Sequence, residues 1–265
     1  MIKLIVTDID GTILKSDFTF NKKVIDCIKK LSNNGVKVVL ISGRMNESIL
    51  SIHKQLELDT PIVSFQGGLV KLGDKILYQR CLDNEIGREV INWAKSKNIH
   101  INLYMDDVLY SEVDDETIRR YTNERNVRFI CKNFDEIELN NINKILLIDF
   151  KNHKKIKNAE EYLSKKYPHL HICRSMDAFC EVCNGQASKG DAVEFLKKYY
   201  NLDTSEILSI GDHNNDIPLL HAGGIKVAMG NGTPEIKKIA DYVTDTVDND
   251  GFVKAVERFV LDAKI

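Results

Sequence analysis

Short runs of apolar residues mark the two ends of the chain. They lie at 4–6 and 38–41 near the start, and at 207–210 and 227–229 near the end. Runs of this length are too short for helices and are typical of strands buried on both faces, as in a parallel sheet between layers of helices. They therefore predict the strands of an open α/β sheet.

The segments between these runs have helical spacing. Between residues 24 and 31 apolar residues recur three and four positions apart, ahead of the helix-stop sequence Asn33-Asn34-Gly35. Ser188 precedes a second apolar-periodic segment, and Thr233-Pro234 has the form of an N-cap followed by a first-turn proline. Strands and helices thus alternate, which is typical of an α/β fold.

The middle of the chain has a different pattern. Residues 99–103 alternate apolar and polar side chains, which predicts a strand with one face in water. We expect a smaller α+β domain over residues 83–186, inserted into a core made of residues 1–82 and 187–265. Its predicted helices are 84–97 and 154–167, and its further predicted strands are 144–149, 171–174 and 179–183.

Composition narrows the class of protein. With 265 residues, 43% of them hydrophobic and 29% charged, the chain can form one large or two modest domains with a real core. Its formal charge of -2 offers no bulk attraction for nucleic acid or an anionic membrane. No apolar run approaches the ~20 residues of a membrane helix, and the acidic Asp8 comes too early for a signal peptide. We expect a cytoplasmic protein.

The cysteines favour no metal site or redox site. Of the six, only Cys180 and Cys183 form a close pair, and no second pair completes a four-ligand zinc site. Redox pairs of this spacing usually open a helix, whereas this stretch is predicted to be a strand. We expect reduced and mostly buried thiols.

Polar residues follow three of the predicted core strands. Asp8 and Asp10 follow the first, Ser42-Gly43-Arg44 follows the second, and the segment 211–216 contains Asp212, Asn215 and Asp216. In open α/β sheets ligands bind beyond the carboxyl ends of the strands. The three strand ends together therefore predict one site.

Four carboxylates in one crevice repel each other unless a cation offsets them. Mg²⁺ suits such a site, because it prefers one or two carboxylates together with water and phosphate oxygens. A phosphate could be held by the Ser42 hydroxyl, by backbone N–H groups around Ile9 and Gly43, and by Lys189. Lys189 lies in the first turn of a predicted helix, where the helix dipole disfavours a cation unless an anion is near.

Asp8 and Asp10 suit phosphoryl transfer. They lie two residues apart, so in an extended chain both side chains point to the same side. One can attack phosphorus while the other protonates the departing oxygen, and a carboxylate nucleophile that becomes an aspartyl-phosphate is an established form of covalent catalysis.

These motifs resemble a known family. Asp8-Ile9-Asp10-Gly11-Thr12, Ser42-Gly43-Arg44, Lys189-Gly190 and the segment 211–216 look like the four motifs of the haloacid dehalogenase superfamily, and most of all its Cof-type phosphatases. The resemblance spans the chain. It implies a Rossmann-like core with a parallel sheet, and a cap domain inserted after the third core strand.

The resemblance also implies roles. Asp8 would be the nucleophile and a Mg²⁺ ligand, Asp10 the general acid and base that also lends its backbone carbonyl to the metal, and Asp212 a further ligand. Ile9, Ser42, Gly43, Lys189 and Asn215 would hold the phosphate, with Lys189 also spreading the transition-state charge. Asp216 would bind Lys189 or a metal-bound water.

The chain departs from the family at two positions. Ser42 replaces the usual threonine and keeps its hydroxyl. Gln66 stands before Gly67 where the family usually has asparagine, and its longer amide could shift the floor of the site, so the resemblance gives it no role.

The function expected from the sequence is Mg²⁺-dependent hydrolysis of small phosphate monoesters, sugar phosphates foremost, by a monomer or weak homo-oligomer. A sugar phosphomutase of the same superfamily is the alternative enzyme, and a phospho-accepting receiver module the alternative outside enzymes. In the cap, Tyr104, Arg174 and Glu181 are candidates to select the substrate, or are ordinary surface residues.

Overall fold

The computed structural model describes residues 1–17 and 19–262. The chain divides into two compact units, one made of Met1–Tyr78 and the chain from Ser188 on, the other of Gln79–Ala187. Among the described residues, none of the helices combines the length and the apolar character that crossing a membrane requires.

Within residues 1–17 and 19–262, unit 1 has an eight-stranded sheet and six α-helices. Its strands are β1 (Leu4–Thr7), β2 (Lys37–Ile41), β3 (Ile62–Ser64), β4 (Leu69–Leu72), β5 (Lys75–Gln79), β12 (Ile207–Gly211), β13 (Ile225–Ala228) and β14 (Tyr242–Val243). Its helices are α1 (Lys22–Asn33), α2 (Asn46–Gln55), α6 (Lys189–Tyr199), α7 (Ile217–Ala222), α8 (Pro234–Ile239) and α9 (Gly251–Val256).

The sheet of unit 1 is parallel except at one edge. Its strand order is β14-β13-β12-β1-β2-β3-β4-β5. The pairs from β14 to β3 are parallel, while β4 runs antiparallel to β3. The predicted α/β class with a parallel sheet is confirmed. Strands β4 and β5 follow the third strand, and unit 2 begins at Gln79, the last residue of β5.

Both faces of this sheet are covered, which explains its uninterrupted apolar strands. Ile5 of β1 packs in a cluster that includes Ile28 of α1 and Phe252 of α9. Its neighbours Leu4 and Val6 point to the other face and pack with a cluster from α6, α7 and α8. The predicted burial on both faces is therefore confirmed.

The predicted helix ends of unit 1 are also confirmed. Helix α1 ends at Asn33, and its cap residue is Asn34. Ser188 caps α6 by accepting a hydrogen bond from the N–H of Asp191, and Thr233 caps α8 ahead of Pro234.

Unit 2 is a six-stranded, mostly antiparallel sheet with three helices. The strand order is β10-β11-β9-β6-β7-β8. The strands are β6 (His100–Met105), β7 (Val108–Ser111), β8 (Ile130–Cys131), β9 (Ile142–Ile148), β10 (His171–Met176) and β11 (Phe179–Cys183), and the helices are α3 (Asn84–Ser96), α4 (Glu116–Arg125) and α5 (His153–Lys166). The predicted elements are present, and β7, β8 and α4 are additional.

The expectation of a wetted face on β6 is wrong. Of the polar residues in the alternating pattern, Asn102 is buried and His100 is half-buried, and Tyr104, two residues further on, is buried as well. The reason is hydrogen bonding within unit 2: the Tyr104 hydroxyl bonds to that of Tyr121 on α4, and the Asn102 Oδ1 atom bonds to the ring of His100. An alternating pattern identified the strand but not what covers its polar face.

All six cysteines are free thiols. Cys27, Cys180 and Cys183 are buried, Cys81 and Cys173 half-buried, and Cys131 exposed. Cys180 and Cys183 lie within strand β11, as predicted, and burial raises the pKa of both thiols. A thiol that is held protonated is a poor nucleophile and a poor metal ligand, so this pair has the properties of core residues.

Candidate active site

Three neighbouring parallel strands of unit 1 end at the same edge of the sheet. Thr7, the last residue of β1, is in register with Leu40 of β2 on one side and Ile210 of β12 on the other. Asp8 follows β1, Ser42 and Gly43 follow β2, and Asp212 follows β12. The sequence predicted that these residues follow the ends of core strands. The register of the three strands brings them together.

A buried lysine lies between two buried carboxylates at this edge. Lys189 is the first residue of α6 and is 1% exposed. Its Nζ lies 2.5 Å from Asp8 Oδ1 and also binds Asp216 Oδ1. Burial acts to lower the pKa of Lys189, but attraction by Asp216 and Asp8 outweighs it, so the pKa is raised and the ammonium stays charged.

Asp8, Asp212 and Asp216 form a cluster of carboxylates. One oxygen atom from each lies within 4.8 Å of the others, and no other such group of acidic, histidine or cysteine side chains occurs within 1–17 and 19–262. Burial, opposed by Lys189 and reinforced by the neighbouring carboxylates, raises the pKa of Asp8 well above its ordinary value. Burial and the charge of Asp216 raise the pKa of Asp212 to about 7.

This donor set fits a hard divalent cation. It is made only of oxygen atoms, and its mutual repulsion would be offset by a positive charge. Asp216 already accepts hydrogen bonds from Lys189 through Oδ1 and from the backbone N–H groups of Asp212 and His213 through Oδ2. All three carboxylates could offer an oxygen to such a cation, and Asp216 in addition holds Lys189 and the turn that carries Asp212.

Asp10 differs from Asp8 in its surroundings. Its side chain is 48% exposed, and Arg44 binds both of its oxygens through Nε at 2.8 Å and Nη2 at 2.5 Å. A bidentate guanidinium fixes the direction of a carboxylate as well as pairing its charge. The site thus holds one buried carboxylate beside a lysine and one exposed carboxylate aimed by an arginine.

The predicted phosphate ligands lie around these acids. Ser42 is buried, and its Oγ accepts a hydrogen bond from the N–H of Arg44 at 3.2 Å. Ile9 is buried, and its carbonyl accepts the N–H groups that close the turn after Asp8. Asn215, in the turn after β12, donates from Nδ2 to Gln66 Oε1 at 3.1 Å.

Two residues that the sequence left without a role hold Asp212. Asn231 Nδ2 lies 3.3 Å from Asp212 Oδ2 and 2.9 Å from the carbonyl of Gly11. Thr12 donates its hydroxyl to Asp212 Oδ1 at 3.4 Å. Thr12 stands in the Asp8–Thr12 motif that the sequence pattern singled out, but only the folded chain shows that Thr12 and Asn231 orient this carboxylate.

The candidate cap residues are partnered within unit 2. Tyr104 binds Tyr121, as described above, and Arg174 pairs with Glu160 at 2.8 Å. Glu181 forms a buried ion pair with Lys144 at 3.3 Å. Tyr104 and Glu181 are therefore not ordinary surface residues, and Arg174 is half-buried.

Comparison with known proteins identifies relatives over almost the whole length. A family model described as haloacid dehalogenase-like hydrolase matches residues 5–256. A candidate phosphatase of Haemophilus influenzae is 34% identical over 97% of this chain and 98% of its own. The 5-amino-6-(5-phospho-D-ribitylamino)uracil phosphatase YwtE of Bacillus subtilis is 27% identical over 97% of this chain and 98% of its own.

Solved structures of the same family resemble this chain. A haloacid dehalogenase-like hydrolase from Bacteroides thetaiotaomicron has a TM-score of 0.88 and 26% identity, covering 97% of this chain and 99% of its own. The resemblance found in the sequence motifs is therefore confirmed.

Proposed function

The chain belongs to the haloacid dehalogenase-like hydrolases, and from that premise we propose that it is a Mg²⁺-dependent phosphatase acting through an aspartyl-phosphate on Asp8. It is a phosphoric monoester hydrolase of this family. The observation that carries the proposal is the buried pair of Asp8 and Lys189 beside Asp212, at the carboxyl end of β1.

Asp8 and Asp212 would hold the metal, with the backbone carbonyl of Asp10 as a further ligand. When bound, Mg²⁺ would neutralise part of the negative charge of the site and of the phosphate, which makes attack by a carboxylate feasible. Asp216 contributes by holding Lys189 and the Asp212 turn.

In the first step the Asp8 carboxylate attacks phosphorus, and the bond from phosphorus to the ester oxygen breaks. The departing oxygen takes a proton from Asp10 and leaves as an alcohol. Lys189, with the Ser42 hydroxyl, the N–H groups of Ile9 and Gly43, and the Asn215 amide, stabilises the oxygens of the transferring group.

In the second step water attacks the phosphorus of the aspartyl-phosphate. Asp10, now ionised, takes a proton from that water, and the bond between phosphorus and the Asp8 oxygen breaks. Inorganic phosphate leaves, and both aspartates return to their starting forms. Arg44, which binds both oxygens of Asp10, would fix the direction of this carboxyl group.

The proposed substrates are small phosphate monoesters, sugar phosphates foremost. The name of one relative includes a phosphorylated ribityl group, which supports a substrate with a sugar-like chain. We propose that unit 2 selects the substrate, with Tyr104, Arg174 and Glu181 as candidate residues. We further propose a cytoplasmic location, which suits six free thiols, and a monomer or weak homo-oligomer.

Mutase activity has less support. A mutase must anchor a second phosphate, and the arginines of unit 2 would be its anchors. Arg119 pairs with Asp114 at 2.7 Å, and Arg120 pairs with Glu124 at 2.9 Å. Arg125 also pairs with Glu124, at 3.3 Å. These three guanidinium groups have carboxylate partners in their own unit, so they give no specific support to a second phosphate site.

The test is release of inorganic phosphate from a panel of sugar phosphates and other small esters, with Mg²⁺ or with chelator. We expect Mg²⁺-dependent release by the parent protein and none by folded Asp8→Asn. Absence of release from every ester by the folded parent would contradict the proposal.

A further inference from the structure

The turn that follows β3 has an unusual backbone. Phe65 and Gln66 have φ angles of 51° and 59°, a left-handed conformation that residues other than glycine, asparagine and aspartate rarely adopt. Two hydrogen bonds hold the turn there: the N–H of Phe65 donates to the carbonyl of Arg44, and that of Gln66 to the carbonyl of Ser42, each at 3.0 Å. The turn is thus fixed to the segment that follows β2.

The side chain of Gln66 spans two predicted phosphate-binding segments. It is 3% exposed, and its Oε1 accepts the hydrogen bond from Asn215 Nδ2 at 3.1 Å. Its Nε2 lies against Gly43, where a Cβ atom would come within 2.4 Å of it. Gly43 therefore leaves room for the Gln66 amide, and that amide fills the space between Gly43 and Asn215.

The next residue, Gly67, packs against a third segment, which contains Lys189. A Cβ atom on Gly67 would lie 2.1 Å from the carbonyl oxygen of Ser188 and 3.0 Å from the backbone nitrogen of Lys189. The turn therefore packs directly on the first turn of α6. One short turn contacts the segments of Ser42 and Gly43, of Lys189, and of Asn215.

We propose that Gln66 is a positioning residue of the phosphate site, whose amide aims Asn215 and sets its distance from the Ser42–Gly43 segment. The inference rests on the proposed function and deepens it. An amide nitrogen carries two hydrogens, so the bond that Asn215 gives to Gln66 fixes the direction of its second hydrogen. That hydrogen is the one available to a phosphate oxygen.

The length of the Gln66 side chain matters for its contact with Asn215. Asparagine at position 66 would be one methylene shorter and would not span the distance that Gln66 spans from its own backbone to Asn215. The glutamine thus couples the backbone of the β3 turn to the side chain of Asn215.

The experiment uses Gln66→Gly, which removes the amide while suiting the left-handed backbone. Asn201→Gly is the matched control, because Asn201 is an exposed amide residue of unit 1 with a φ of 51°. The measurements are kcat and KM for a sugar phosphate and for p-nitrophenyl phosphate, and the inhibition constant of inorganic phosphate. Asn215→Ala and the double variant complete a mutant cycle.

We expect Gln66→Gly to raise KM and the inhibition constant of phosphate about tenfold, as for the loss of one hydrogen bond to a charged group. In the Asn215→Ala background the same change should have an effect of less than about threefold, because the two residues act as a unit. Asn201→Gly should match the parent. Gln66→Asn, which also tolerates the left-handed backbone, should resemble Gln66→Gly.

Any of three results would overturn the inference. Gln66→Gly could keep the parental KM and inhibition constant, Gln66→Asn could keep full activity, or the effects of the two single changes could be independent in the double variant. The Asn variant also serves if the Gly variant does not fold. These results differ from a failure of the proposed function, in which the parent itself would neither release phosphate nor be inhibited by it.

Discussion

The Nζ atom of Lys189 lies 2.5 Å from a carboxylate oxygen of Asp8, and both side chains are buried. The lysine opens helix α6, where the helix dipole disfavours a positive charge. The sequence suggested that a bound phosphate resolves this conflict, but the structure shows that Asp8 and Asp216 already compensate the charge. The Lys189 ammonium group is therefore held in place before any substrate binds. Phosphoryl transfer requires preorganisation of this kind.

Removal of this lysine should impair both activity and stability. In Lys189→Ala we expect kcat to fall by about 10²–10³-fold, as for the loss of one preorganised transition-state donor. We expect the free energy of unfolding to fall by about 3–5 kcal/mol, because two buried carboxylates lose their partner. Steady-state kinetics and urea unfolding measure the two effects. Lys198→Ala, exposed on the same helix, is the control, and a parental rate in Lys189→Ala would refute the role.

Loss of Arg44 should affect substrates according to their leaving groups. Arg44 aims Asp10, which protonates the departing oxygen, and a poor leaving group depends on that proton more than a good one. We expect Arg44→Ala to lower kcat/KM for a sugar phosphate about 10²-fold and that for p-nitrophenyl phosphate much less. Arg44→Lys should fall between parent and Arg44→Ala, since lysine lacks the bidentate geometry. An equal loss for both substrates would show that Arg44 acts otherwise.

Metal binding should raise the unfolding temperature of the protein. If Asp8 and Asp212 hold Mg²⁺, the ion binds the folded state and raises the unfolding temperature of the parent. In Asp212→Asn this increase should be mostly lost. Asp248→Asn, a change at an exposed carboxylate outside the cluster, should retain it. Differential scanning fluorimetry with and without millimolar Mg²⁺ gives the result, and an equal increase in Asp212→Asn would place the metal elsewhere.

Stability should decrease as the pH falls below about 6.5, in part because of His53. Burial, partly opposed by a hydrogen bond with the Thr60 carbonyl, lowers the pKa of His53 from its ordinary value of 6.5. The unfolded chain therefore binds the proton more readily than the folded protein, so the free energy of unfolding is lost as the pH falls. Urea unfolding between pH 7.5 and 5.5 should show a smaller slope for His53→Gln than for the parent. His221→Gln, at an exposed position, serves as the control, and identical slopes in parent and His53→Gln would contradict the assignment.

Much of the fold and site follows from the sequence because the information is local. The apolar runs identify strands buried on both faces, and the polar residues after Thr7, Ile41 and Gly211 identify one edge of the sheet. Helix α4 was missed because its buried residues Ile118, Tyr121 and Thr122 make a weak apolar stripe.

The finer contacts of the site depend on how distant segments pack. The pairing of Arg44 with Asp10 joins residues 34 positions apart, and the bond between Asn215 and Gln66 joins residues 149 apart. The left-handed turn at Phe65 and Gln66 has no sequence marker, since neither residue favours that conformation. Hydrogen bonds between distant segments determine these pairings and this turn, so a pattern along the chain does not predict them.

The central claim is that Asp8 becomes phosphorylated, and trapping that intermediate tests it most directly. The protein would be mixed in excess with a substrate, quenched within milliseconds, reduced with borohydride and digested with trypsin. Cleavage after Lys3 and Lys15 gives a peptide of residues 4–15, in which Asp8 and Asp10 are the only carboxylate side chains. We predict that Asp8 alone is converted to homoserine, in the presence of substrate only. Rapid turnover with both aspartates unmodified, or with the label at Asp10, would contradict the account.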